Sequence, residues 1–177
     1  MSHHPHAILY YGFNLSSGIA WEIEEASDCG DPVLSWMRTG GTTDEHEPDR
    51  YDAEADDERD ADDEDNTEDD FITQAKARLV ALAPARYADA DPDTVLRDHY
   101  GVTLSHYAYY DDRTYYLAAH VIETDGDDDP LLINARELVQ RPEAERWDDK
   151  LRAVLDVLEI TPKQALPSWI QHSYIAG

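Results

Sequence analysis

A chain of 177 residues with 40 acids against 14 bases carries a formal charge of −26. Such a field repels phosphate backbones and anionic lipid, which argues against direct binding of nucleic acid or membrane. A single cysteine, Cys29, excludes a disulfide framework and a cysteine-based zinc site and suits a reducing compartment.

In chain order, MSHHPHAILYYGF has neither the basic flank nor the apolar run of a signal peptide, and no stretch reaches membrane-spanning length. The expected location is the cytoplasm. AILYYGFNL reads as a strand. After Ser16-Ser17-Gly18, IAWEIEE alternates Ile19, Trp21 and Ile23 with smaller or charged residues, the period of a half-buried strand, so the two predict a hairpin. VLSWM, after Asp31-Pro32, reads as a short third strand.

From Asp44 to Asp70 there are 17 acids and two bases, Arg50 and Arg59, a net of −15 in 27 residues; the other 150 residues carry a net of −11. Between Thr43 and Phe71 the only large apolar residue is Tyr51. So little to bury cannot offset a backbone ordering cost of roughly 1–2 kcal/mol per residue, and a flexible linker is expected.

Beyond it, FITQAKARLVALA places Ile72, Ala75, Leu79, Leu82 and Ala83 on one helical face, ended by Pro84. A shorter helix is expected at Asp93–Tyr100 with Gly101 as its stop. VTLSHYAYY and TYYLAAHVIE predict a β-hairpin turning at Asp111–Arg113. LLI reads as a further strand, and Asn134 as the cap of a short helix, ARELVQ. After Pro142 a longer helix carries Trp147, Leu151, Val154, Leu155 and Leu158 on one stripe. Thr161-Pro162 reads as a cap and first residue of another helix, and PSWIQHSYIAG as a tail docked on the core. The fold class predicted is α+β: one domain over 1–177, an antiparallel sheet with helices on one face, interrupted by a flexible acidic insert at 44–70.

YYGFNL followed by a Trp, the acidic gap, the amphipathic helix after it, the hairpin introduced by GVTLSHYAYY and the end WDDKLRAVLDVLEITPKQALPSWIQHSY resemble small uncharacterised acidic proteins of actinobacteria and their phages. The resemblance covers most of the chain outside the acidic segment and implies a phage or high-GC bacterial origin. It brings no activity and no site residues.

Several candidate sites follow from residue type. The acidic run, with Asp56, Asp57, Asp62, Asp63, Glu64 and Asp65 at its centre, can imitate nucleic-acid phosphates and steer association with a cationic partner; the plainer reading is a solvated linker. An EF-hand fails on spacing: from Asp125 the sixth and twelfth positions are Pro130 and Arg136, and from Asp60 they are Asp65 and Phe71. His3, His4 and His6 form a terminal cluster better read as unstructured than as a metal site. His106 and His120 are expected within about two residues of facing one another across the hairpin, where Asp98, Asp111 or Asp112 would complete an acid–base or metal site; ordinary strand histidines are the alternative. Cys29 sits among acids that disfavour a thiolate. No GxSxG, P-loop or GxGxxG is present.

Seven tyrosines fall in predicted strands, and Tyr107 and Tyr109 are expected to serve recognition as readily as strand formation. The sequence therefore predicts a non-enzymatic interaction module without cofactor or metal. Its expected role is a phage-encoded inhibitor or DNA-mimic-like binder of a basic or nucleic-acid-handling protein, through the acidic run with Tyr107 and Tyr109. The rival is a small hydrolase, metal-dependent or built from His and Asp.

Overall fold

Strand β1 (His4–Asn14) carries apolar and aromatic side chains on both faces, which suits a strand in the middle of a sheet rather than at its edge. The computed structural model describes residues 4–15, 25–26, 32–37, 71–109, 112–125 and 131–176. In it β1 lies between two antiparallel partners, β5 (Asp112–Asp125) and β6 (Ser168–Ala176), and β4 (Thr103–Tyr109) pairs with β5, giving the order β4-β5-β1-β6. A separate two-residue pairing joins β2 (Glu25–Ala26) to β3 (Pro32–Val33). The protein is thus α+β, with its helices packed on one face of a four-stranded antiparallel sheet.

The sheet is rolled. A flat sheet would hold β4 and β6 three strand spacings apart, roughly 14 Å. Instead the two strands approach one another, and the rings of Tyr107 and His172 stack at 4.2 Å. On that concave side lie Ile8, Tyr10, Tyr107, Tyr116 and Ala118, with Tyr10 stacked on Tyr116 at 4.8 Å.

The convex side receives the helices. Helix α1 (Phe71–Leu82) and helix α4 (Trp147–Leu158) bury Phe71, Ile72, Ala75 and Leu79, and Trp147, Leu151, Val154, Leu155 and Leu158, against Phe13, Leu104, Tyr115 and Leu117. The α4 stripe expected from the sequence is buried throughout. The α1 stripe stops a turn early, because Leu82 is 60% exposed at the helix end. Asp91 caps α2 (Pro92–Val95), which widens into a π-turn over Leu96–Tyr100 and stops at Gly101 in the left-handed region, φ 69°.

Several expected elements take other forms. The predicted strand 19–25 lies outside the described residues except for its last position. In VLSWM only Val33 is strand, and Leu34–Met37 turns with the Met37 amide donating to the Leu34 carbonyl at 2.9 Å. That turn is tied to the body by Trp36, whose indole N–H donates to the Leu158 carbonyl at 2.8 Å, while the Arg78 guanidinium lies over its ring. Arg78 also bonds the Val157 carbonyl and Glu159, closing the C-terminus of α4. Leu131–Ile133 forms no strand and is exposed, Leu132 by 95%.

No helix begins at Pro162. Gln164 bonds the Gly12 and Leu166 carbonyls at 3.0 and 2.7 Å, and the chain turns there into β6. The tail does dock on the core, as a strand. Finally, Asn134 caps α3 (Ala135–Ala144) as expected, but the helix runs through Pro142 instead of ending before it. No helix among the described residues is long and apolar enough to cross a membrane.

Candidate functional site

The densest group of chemistry-bearing side chains is made by a register fault. Between Tyr11 and Gly12 the β1–β5 pairing slips by one residue: Gly12 faces Ala118, whereas Tyr11 faces His120. The extra residue, Ala119, reverses the alternation of β5, so Ala118 and Val121 serve the concave side while His120 joins the helix side. Gly12 makes this possible. A Cβ there would lie 1.9 Å from the Leu117 carbonyl oxygen, so the backbones approach closer than any side chain permits.

On the helix side His120 stacks on Trp147 of α4, with ring centroids 5.2 Å apart, and meets Trp169 of β6 edge-on at 6.1 Å. Tyr11 packs against both indoles, 5.5 Å from Trp147 and 5.4 Å from Trp169. Trp147 is buried, and the guanidinium of Arg141 from α3 lies 5.0 Å from its ring centroid.

Polar bonds run round this aromatic cluster. The Arg141 Nη1 donates to His120 Nε2 at 3.2 Å, and its Nε donates to Glu145 at 2.8 Å. The Trp147 indole N–H donates to the other Glu145 oxygen at 3.0 Å, and the Tyr11 hydroxyl donates to Asp148 at 2.8 Å. An arginine can only donate, so His120 accepts at Nε2 and is the neutral imidazole carrying its hydrogen on Nδ1. Burial and the Arg141 charge lower its pKa, opposed by Glu145. Burial, then the bond to the Asp148 carboxylate, pushes Tyr11 up to about 12. Glu145 is lowered by its bonds from Arg141 and Trp147.

No family model, curated protein or solved structure matches the chain.

Chemically the cluster is a fastening. Tyr11 holds its proton too firmly to be an acid near neutrality, and the acceptor nitrogen of His120 is occupied by Arg141. Among the described residues no three His, Cys, Asp or Glu side chains converge to hold a metal ion.

The expected pairing of His106 with His120 is corrected. The last pair of the β4–β5 ladder is Tyr109 with Asp112, so His106 faces Tyr115 and His120 lies five residues further along β5, about 17 Å away. His106 is exposed near the Tyr115 ring, and Asp98 is bonded to its neighbour Arg97. Tyr107 is buried in the roll of the sheet against His172 and Tyr116, and Tyr109 ends β4 opposite Asp112. Asp56, Asp57, Asp62, Asp63, Glu64 and Asp65, like Cys29, His3 and Asp111, lie outside the described residues. The amphipathic stripe of α4 marks Trp147 as core, but no spacing in the sequence marks Tyr11, Arg141, Glu145, Asp148 and Trp169 as a group. The usable signal was the tryptophan retained in the polar tail; the bulge that gathers the others leaves no mark except Gly12.

Proposed function

We propose that the protein is a non-enzymatic interaction module that engages a basic, nucleic-acid-handling protein through the acidic run Asp44–Asp70, as a phage-encoded inhibitor acts on its host. The observation that carries this reading is the net charge of −15 in 27 residues. A run of that density steers a cationic groove toward it and competes with phosphate for the same arginines and lysines. The resemblance of YYGFNL and the C-terminal half to proteins of actinobacteria and their phages supports the host class. The chemistry around His120 supports a binder over a hydrolase, since its polar groups are spent on one another.

The test is affinity capture from an actinobacterial lysate with the full chain and with a chain lacking residues 44–70. A basic DNA-binding protein retained by the full chain, released by raised salt and lost with the deletion, is the expected result. Capture unchanged by the deletion sinks the proposal.

A further inference from the structure

Helix α3 is attached in an unusual way. None of its side chains is buried, and the segment that leads into it, Leu131–Ile133, is exposed. An amphipathic helix normally stays on a sheet by its apolar face; here Leu138, Arg141 and Pro142 are only half-buried, and specific bonds add to that partial packing. The Leu138 carbonyl accepts from the Trp169 indole N–H at 3.0 Å, and Arg141 donates to His120 while covering the Trp147 ring.

We propose that α3 is a strap over Trp147 and Trp169, fastened by the Arg141–His120 hydrogen bond and released when His120 takes up a proton. Protonation places a hydrogen on Nε2, which ends its role as acceptor and sets two cations in contact at the present 3.2 Å. Among the described residues, the groups facing His120 are few. From α3 comes Arg141, which opposes the proton, and from the residue that caps its C-terminus comes Glu145, which favours it; burial and Arg141 outweigh Glu145. From α4 the Asp148 carboxylate is held by the Tyr11 hydroxyl of β1, and Tyr11 stays protonated far above neutrality. From β6 comes Trp169, which does not titrate. Release therefore falls below the ordinary histidine value, because burial and the Arg141 charge disfavour the imidazolium.

Amide exchange of the full chain, read by NMR with residues 135–144 compared at each pH with α4, tests the strap. Protection of α3 relative to α4 should fall about tenfold as the His120 ring resonances titrate, with the sheet unaffected. In His120→Gln, whose amide oxygen still accepts from Arg141 but does not titrate, the fall should vanish. Should that variant fail to fold, Arg141→Gln serves: α3 should then be weakly protected at every pH, with no step at the His120 titration. Constant α3 protection through that titration, or a step that survives in His120→Gln, overturns the proposal.

Discussion

The carbonyl of Leu138 accepts its hydrogen bond from the indole N–H of Trp169, 31 residues away, at 3.0 Å. Within a helix it would accept from the amide four residues on, but that residue is Pro142, which has none. The proline opens a gap in α3, and a strand on the sheet fills it. A residue that should end the helix thus becomes the point at which the helix is tied down.

This relationship is measurable by a double-mutant cycle. Trp169→Phe keeps an aromatic ring, smaller than the indole, but removes the donor to the Leu138 carbonyl, and should cost about 1–2 kcal/mol in urea unfolding. Pro142→Ala restores an amide to Leu138, so the same Trp169→Phe change should cost measurably less in that background. Equal costs in both backgrounds would show that the two residues are independent.

Gly12→Ala should be among the most damaging single substitutions in the sheet. Its Cβ would meet the Leu117 carbonyl oxygen and the Ala118 Cα, both backbone atoms without rotamers to yield. A loss of about 3 kcal/mol or more is expected from chemical denaturation, together with a changed environment of Trp147 as His120 loses its register. A change under about 1 kcal/mol would show that the bulge can relocate.

Tyr10→Phe should act in the opposite direction. The Tyr10 hydroxyl is fully buried and lies near Tyr107 without reaching hydrogen-bond geometry. Removing it relieves a desolvated group at little cost in packing, so stability should be unchanged or higher by about 1 kcal/mol. A clear destabilisation would mean that the hydroxyl has found a partner in solution.

Tyr11 gives the pH dependence at the alkaline end. Its folded pKa, pushed up to about 12, lies above the ordinary value of 10.0. The stability it contributes is therefore complete below about pH 10 and is lost as pH rises through 12. Tyr11→Phe should cost about 0.5–1.5 kcal/mol at neutral pH and make the alkaline loss shallower, followed by thermal unfolding at stepped pH. An alkaline limb identical to that of the parent chain would rule out the Tyr11–Asp148 bond as its source.

By itself the sequence determined what local pattern can encode. Alternation and residue type marked β1 and the β4–β5 hairpin, the 3.6-residue stripe of Trp147, Leu151, Val154, Leu155 and Leu158 marked α4, and Asn134 marked the start of α3. It also determined the concentration of charge between Asp44 and Asp70, since charge needs no fold to be counted. The tertiary structure alone decided which strands flank β1, the rolling of the sheet that buries Tyr107 against His172, and the face on which His120 lies. Each of these depends on pairing between distant segments. A one-residue slip at Gly12 reverses every side chain beyond it, and at Pro142, where the helix has no amide to offer Leu138, Trp169 supplies the donor.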